Sequence, residues 1–146
     1  MFYGVDRKDI ERIWPVILPK IKRAIDSENG DFHPEEIKGW LQSGHCQLWL
    51  HEPQGNIQSL CITMVDKTEK RKFATIILAA GKDSQEWAEC VKILEKWAIA
   101  EGCSHIEYVG RRGFEKLLKP MGWTGHRVIM KKVLILCTGN SCRSII

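Results

Sequence analysis

The chain has 146 residues, with 22 Lys and Arg against 18 Asp and Glu and a net charge of +4. This length predicts one domain that buries roughly two thirds of the surface its unfolded form exposes. The charge excess is too small and too evenly spread to indicate nucleic-acid binding. No apolar run has the length of a signal peptide core or a membrane span, so we expect a cytoplasmic protein that does not contact membranes.

Two helices are predicted in the first third of the chain. From Asp9 to about Ile25, apolar residues recur at steps of three and four, which indicates an amphipathic helix with candidate bends at Pro15 and Pro19. A second helix is expected to begin near residue 34, because proline suits the first helical position, and to end at residue 44, a glycine. Each helix carries apolar residues on one side, as a helix that packs on a core does.

Three strands are predicted next. Residues 47–52 and 57–66 read as a hairpin with its turn at Gly55 and Asn56. The basic run KTEKRK, residues 67–72, is interpreted as a solvated turn, with phosphate contact as the alternative. Residues 73–81, FATIILAAG, are apolar on both faces and predict a central, fully buried strand.

A helix, a strand, a short helix and a last strand are predicted in the rest of the chain. Residues 84–101 carry one apolar stripe, with a capping-box pattern at Asp83 and Glu86 and a stop at Gly102. A strand, a helix and a strand in that order predict a parallel pair with a right-handed crossover. The later elements are predicted at residues 105–110, 111–121 and 126–136.

This order of elements resembles the GNAT acyltransferase fold over residues 1–134. LEKWAIAEGCSHIEYVG resembles the long helix of that family running into its fifth strand, and FEKLLKPMGW resembles its last helix ending in a Gly-aromatic pair. The resemblance implies an α/β (α+β) domain with a central mixed sheet flanked by helices. It also implies transfer of an acyl group from acetyl-CoA to an amine of a small molecule or protein. The size and the eroded motifs resemble GNAT-like proteins of tailed bacteriophages.

The resemblance also implies where acetyl-CoA binds. Family members hold it where the fourth and fifth strands splay apart, with pantetheine on the fourth-strand backbone and pyrophosphate on a Gly-rich helix N-terminus. The implied cofactor-binding residues are Leu78, Ala79, Ala80, Gly81, Lys82 and Ser84.

The sequence departs from the family at the residues that carry its function. The R-G-x-G-x-G pattern falls on residues 82–87, where every glycine is replaced and where Asp83 and Glu86 set negative charges against a pyrophosphate. The usual tyrosine general acid falls on Leu118. Two hypotheses stay open: an N-acyltransferase with an atypical acetyl-CoA site, and a non-catalytic phage-type protein that has lost this site and binds a protein partner.

Glu107 and Tyr108 are the acid/base candidates if the transferase activity persists. Both lie on the strand that borders the implied cleft, and adjacent residues of a strand point to opposite faces. One of them is therefore expected to point into the cleft.

The last residues contain a C-x5-R anion loop within VLILCTGNSCRS, residues 133–144. This loop resembles that of low-molecular-weight protein tyrosine phosphatases and of the related arsenate reductases. The resemblance implies that Cys137 is a nucleophile and that Arg143 binds the oxyanion. We interpret residues 135–146 as a truncated or fused piece of such a domain, with oxyanion chemistry as a third hypothesis.

Metal binding is not predicted. None of the six cysteines has C-x-x-C spacing, and the neighbouring His45, Cys46 and His51 lack further residues with ligand spacing. Unpaired cysteines at apolar positions, such as Cys61 and Cys90, indicate a reducing compartment.

Overall fold

A computed structural model describes residues 1–28, 31–81, 86–110 and 113–135, and the predicted α/β class is confirmed. The strands are β1 (Phe2–Val5), β2 (Cys46–His51), β3 (Ser59–Lys67), β4 (Lys72–Ala80) and β5 (His105–Tyr108). The α-helices are α1 (Ile10–Glu28), α2 (Pro34–Ser43), α3 (Glu86–Ala100) and α4 (Gly113–Leu118). Short 3-10 helices lie at Arg7–Asp9 and Lys119–Met121.

The five strands form one mixed sheet in the order β1-β2-β3-β4-β5. The first four strands are antiparallel to their neighbours, whereas β4 and β5 are parallel. A parallel pair needs a crossover, and α3 supplies it. The predicted hairpin, mixed sheet and parallel pair are therefore confirmed.

The helix boundaries follow the predicted signals. The helix α1 continues through Pro15 and Pro19, and α2 has Pro34 in its first turn. Nδ1 of His33 accepts a hydrogen bond from the backbone N–H of Glu35 at 3.2 Å, which caps the start of α2. Gly44, with φ of 85°, ends the helix in the left-handed conformation. No helix in the described part of the chain has the length and apolar composition that a membrane crossing needs.

Two hydrophobic cores lie on opposite faces of the sheet. The first core packs α1 and α2 against alternate residues of the strands, including Leu48, Leu50, Leu60, Ile62 and Leu78. The second core packs α3 and α4 against the other face, including Trp49, Cys61, Ile76 and Ala79. Strand residues point alternately to the two faces, so the sheet is covered by helices on both sides.

The predicted last strand is wrong for the residues described. Residues 123–135 contain no strand, and the side chains of Val128, Met130 and Ile135 are 86%, 90% and 89% exposed. A segment that favours the extended conformation forms a strand only when another strand pairs with its backbone. In the described part of the chain the sheet ends at β5, and no strand pairs with this segment.

Two details of the sheet differ from the sequence interpretation. Residues 2–5 were assigned no element, yet they form β1 and pair with β2 from Phe2 with His51 to Val5 with Leu48. In addition, β4 is buried on both faces only at Leu78, Ala79 and Ala80, whereas its first half alternates between half-buried and buried residues. The strand lies between β3 and β5, so its predicted interior position is correct.

Candidate functional site

The strands β4 and β5 separate next to a bulge in β4. Their parallel pairing runs from Phe73 with His105 to Ile76 with Tyr108 and ends there. On the other side of β4, Ile62 of β3 faces Leu78 while Thr63 faces Ile76, so Ile77 is an extra residue without a partner. A bulge bends its strand and increases the local twist. The opening between β4 and β5 therefore begins at the bulged residue.

The opening exposes the backbone of the last residues of β4. The side chains of Leu78, Ala79 and Ala80 are buried, so they contribute little surface. Among the described residues, β5 pairs with none of these three, and their backbone groups on that side need another partner, water or a ligand. The predicted residues Leu78 to Gly81 thus lie together along one edge of the opening. Lys82 and Ser84 fall outside the described residues.

Gly81 ends β4 in a conformation that only glycine adopts easily. Its φ is 134°, and a β-carbon built on it would lie 2.3 Å from the β-carbon of Ser59. The hydroxyl of Ser59 in turn lies 3.3 Å from Nδ1 of His51, so β2, β3 and the end of β4 converge at this corner. The chain leaves the sheet here toward α3, and the close approach fixes where it leaves.

The first turn of α3 places an indole beside this corner of the sheet. Trp87 is 3% exposed and its ring makes edge contacts with Phe2 and Phe114. Its Nε1 donor has no hydrogen-bond partner among the described residues. A buried donor without a hydrogen bond costs about 1–3 kcal/mol. A polar acceptor that reached Nε1 of Trp87 would therefore bind favourably there.

Glu107 lies on the α1 side of the sheet and is held by two neighbours. Both of its carboxylate oxygens accept hydrogen bonds from Nη2 of Arg127 at 2.8 Å, and Oε1 lies 3.0 Å from Nε2 of His105. Its side chain is only 20% exposed. A carboxylate in an ion pair of this kind is fixed in one orientation, with its charge balanced by the guanidinium.

Tyr108 points to the opposite face and occupies the last paired position before the opening. Its ring lies 5.1 Å from that of Phe114, centroid to centroid, in an edge arrangement. A β-carbon on Gly110 would lie 2.2 Å from the hydroxyl oxygen of Tyr108, so the glycine leaves room for the phenol to fold back at the end of β5. The two acid/base candidates are therefore on different faces, and Tyr108 is the one nearer to the opening.

The remaining predicted positions divide into buried and undescribed residues. Leu118, at the family's tyrosine position, is 6% exposed and belongs to the second core. Cys137 and Arg143 fall outside the described residues. Among the residues that are described, no three His, Cys, Asp or Glu side chains gather as metal ligands would.

Sequence reasoning missed three residues that shape this region: Ile77, Gly110 and Arg127. The bulge at Ile77 is hidden in an apolar run that reads the same on both faces. The pairing of Arg127 with Glu107 depends on tertiary structure alone. Only Gly110 gave a usable signal, because a glycine at the end of a predicted strand often marks a close approach.

No protein-family model and no curated protein matches this chain. Solved structures do match it. An aminoglycoside acetyltransferase from an uncultured soil metagenomic sample, in complex with sisomicin, has a TM-score of 0.68 and 10% identity, covering 94% of this chain and 96% of its own. A GNAT family acetyltransferase from Staphylococcus aureus has a TM-score of 0.62 and 13% identity, with coverages of 92% and 98%.

A ribosomal-protein-alanine N-acetyltransferase from Brucella melitensis is also similar, with a TM-score of 0.59, 12% identity and coverages of 89% and 99%. These identities are low, but the matches span nearly the whole of both chains. They agree with the mixed sheet flanked by helices described above. The chain therefore has the fold of the GNAT acetyltransferases.

Proposed function

We propose that the chain is an acyl-CoA-dependent N-acyltransferase that binds acyl-CoA in the opening between β4 and β5. The observation that carries this proposal is the coincidence of the Ile77 bulge with the end of pairing at Ile76 and Tyr108. It leaves a stretch of parallel-strand edge unpaired inside the sheet, where an extended ligand with amide groups fits as an added strand. The named structures of this fold are acetyltransferases, which supports the same chemistry here.

Bound acyl-CoA supplies an activated thioester, and the chain supplies its placement. Backbone N–H groups of Ile77 to Gly81 that point into the opening are donors for pantetheine amides and for the thioester oxygen. Such fixed donors stabilise the negative charge that develops on an oxygen during acyl transfer. The side chains of Leu78, Ala79 and Ala80 are apolar and buried, so the backbone supplies the polar groups along this edge.

Tyr108 is our proposed proton donor. Its hydroxyl lies next to Gly110, just past the end of β5. In this proposal the phenol would give its proton to the departing thiolate and regain one from the nitrogen of the attacking amine, so that no net proton is gained or lost by Tyr108. Glu107 has a different role in this proposal, because its pairing with Arg127 and His105 leaves it fixed on the other face. We assign it the positioning of β5 and of residue 127.

The acceptor is proposed to be an amine. The similar structures are named for an aminoglycoside and for a ribosomal-protein alanine, which are a small-molecule amine and a protein amine. Either class can approach the opening from the surface. The phage-type origin, the boundary near residue 134 and the anion chemistry of Cys137 and Arg143 stay predictions.

A second candidate is a non-catalytic protein that binds a partner protein. The sequence itself favours it, because Asp83 and Glu86 stand where the family has glycines that receive pyrophosphate. The two candidates differ in one measurable quantity, the affinity for coenzyme A.

Isothermal titration calorimetry with acetyl-CoA and coenzyme A tests the proposal. Binding at micromolar concentration supports the transferase and contradicts the non-catalytic candidate, whereas no heat at millimolar ligand contradicts the transferase. The double variant Asp83→Asn/Glu86→Gln is expected to bind about tenfold tighter, since two negative charges near the pyrophosphate are removed. Glu89→Gln, which neutralises an exposed acid further along α3, is the matched control.

Activity then separates binding from chemistry. With a panel of amines and release of coenzyme A measured by chromatography, Tyr108→Phe is expected to lower kcat by about a hundredfold with little change in acetyl-CoA affinity. An unchanged kcat would assign the proton transfer to another group.

A further inference from the structure

An open pocket of about 520 Å³ lies away from the opening, at the other end of β4 and β5. Its lining comes from the turn between β3 and β4, the starts of β4 and β5, and the segment after α4. The lining residues are Thr68, Lys70, Arg71, Phe73, His105, Glu107 and Arg127. Ile106 and Tyr108 alternate with His105 and Glu107 and pack in the second core. The pocket is therefore on the face of the sheet opposite to α3.

The turn that carries two of the cations is held in one conformation. The backbone N–H and the hydroxyl of Thr68 both donate to the carbonyl oxygen of Arg71, at 2.8 and 3.2 Å. The N–H of Arg71 in turn lies 3.2 Å from the Thr68 hydroxyl. Lys70 and Arg71 are thus presented by a fixed backbone. The entropic cost of ordering this turn is met when the chain folds, so it does not weaken the binding of a ligand.

The charges on the described residues that line the pocket do not balance. Lys70, Arg71 and Arg127 face it, against the single carboxylate of Glu107. Glu107 is already satisfied by Arg127 and His105, and neither Lys70 nor Arg71 has an ion pair in the described part of the chain. Two cations on adjacent residues repel each other, and an anion between them relieves the repulsion.

One wall of the pocket is aromatic. The rings of Phe73 and His105 stack with centroids 4.9 Å apart and an interplanar angle of 9°. Both residues are half-buried. A concave site with an apolar wall, a few convergent polar groups and this volume has the features of a small-molecule site.

We propose that this pocket is a binding site for a small phosphate-bearing ligand, with the phosphate between Lys70 and Arg71 and the rest of the ligand against Phe73 and His105. The guanidinium of Arg71 offers a planar pair of donors that matches phosphate oxygens, and Lys70 adds a point charge. The site is independent of acyl transfer, because it uses no residue of the opening between β4 and β5.

Calorimetry with phenyl phosphate and with inorganic phosphate, at low ionic strength in an uncharged buffer, tests this site on the full chain. Both probes are expected to bind, and phenol, which has the ring without the charge, is expected not to bind. The variant Lys70→Gln/Arg71→Gln should weaken phenyl phosphate binding about tenfold or more, because charge-assisted hydrogen bonds are lost.

The chain contains a matched control in Lys22 and Arg23, an adjacent and exposed pair of the same two residues on α1. Lys22→Gln/Arg23→Gln changes the net charge equally and should leave the affinity within about twofold, since it acts only through screened long-range charge. Equal weakening by both double variants, or no weakening by the first, would overturn the proposal. Glu107→Gln, which removes the only carboxylate in the pocket lining, should tighten phenyl phosphate binding, and weaker binding would contradict the placement.

Discussion

Gly81 and Ser59 approach so closely that a β-carbon on the glycine would lie 2.3 Å from the β-carbon of the serine. No rotation of a side chain relieves that contact, because the nearest atoms also include the α-carbon of Ser59 at 3.0 Å. The packing of the start of β3 against the end of β4 therefore depends on the absence of a methyl group at residue 81. The direction in which the chain leaves β4 depends on it as well.

Gly81→Ala is accordingly expected to lower the free energy of unfolding by about 2 kcal/mol or more, from overpacking together with an unfavourable φ. The control is Gly102→Ala, where φ is also positive, at 82°, but no atom lies within 4 Å of the added carbon. That variant should lose only about 1 kcal/mol. Urea unfolding measures both, and equal losses would show that the contact with Ser59 yields without cost.

A second prediction concerns the buried hydrogen bonds of Trp49. Its Nε1 donates to the hydroxyl of Thr63 at 2.9 Å, and this hydroxyl donates to Oε1 of Gln47 at 3.0 Å. Thr63→Val keeps the shape but leaves the indole donor unsatisfied, at an expected cost of about 1–3 kcal/mol. Thr75→Val is the control, because Thr75 is half-buried on the adjacent strand β4 and makes no side-chain hydrogen bond within the described residues. A similar loss in both variants would contradict the role of the Thr63 hydroxyl.

A third prediction concerns the segment after residue 127. The residues from Val128 to Ile135 are exposed, so a chain that ends at Arg127 should melt within about 2 °C of the full chain. A chain that ends at Met121 also loses Trp123, which packs on the second core and whose Nε1 donates to Glu95 at 3.1 Å. This shorter chain should lose about 2 kcal/mol or more. Equal melting temperatures of the two truncated chains, measured by circular dichroism, would contradict the prediction that residues 122–127 stabilise the fold.

A fourth prediction concerns alkaline pH. Burial raises the pKa of the Cys46 thiol to about 11, with a smaller contribution from Asp66, and burial raises the pKa of Cys61 well above its usual value. In the unfolded chain these thiols ionise near pH 8.5, so above that pH the unfolded state loses protons that the folded state retains. The contribution of the two protonated thiols to the free energy of unfolding is therefore fully present below about pH 8.5. It falls as the pH rises toward 11, by up to about 1.4 kcal/mol per pH unit for each thiol.

Urea unfolding at pH 7, 8.5 and 10 measures this slope. Cys61→Ala is expected to be less stable at pH 7 because a buried side chain is shortened, but its stability should decline less steeply above pH 8.5. An unchanged slope would mean that Cys61 ionises alike in both states.

The sequence predicted those elements whose pattern is set locally. The helices α1 and α2 have an apolar stripe and clear end signals at Pro34 and Gly44, and both were found where expected. In contrast, β1 has four residues and depends on its pairing with β2, so no local pattern identifies it. The segment 126–136 shows the reverse case, since a strand was predicted there and its described residues, 126–135, have no strand partner.

The candidate site was predictable in position but not in detail. The resemblance placed it along Leu78 to Gly81, which lie beyond the last β4–β5 pair, and their binding of acetyl-CoA stays a prediction. The pairing of Glu107 with Arg127 and the fold of Tyr108 over Gly110 come from tertiary contacts, which a single sequence does not contain.

The extra residue in β4 has a consequence for how such proteins are compared. Removing Ile77 would restore strict alternation and let β5 run on beside β4, which would close the gap that separates them. The gap is thus encoded by the number of residues in a strand and by main-chain geometry, with no particular side chain required. A feature of this kind leaves no mark in residue identities, which are only 12% between this chain and a solved structure of the same fold.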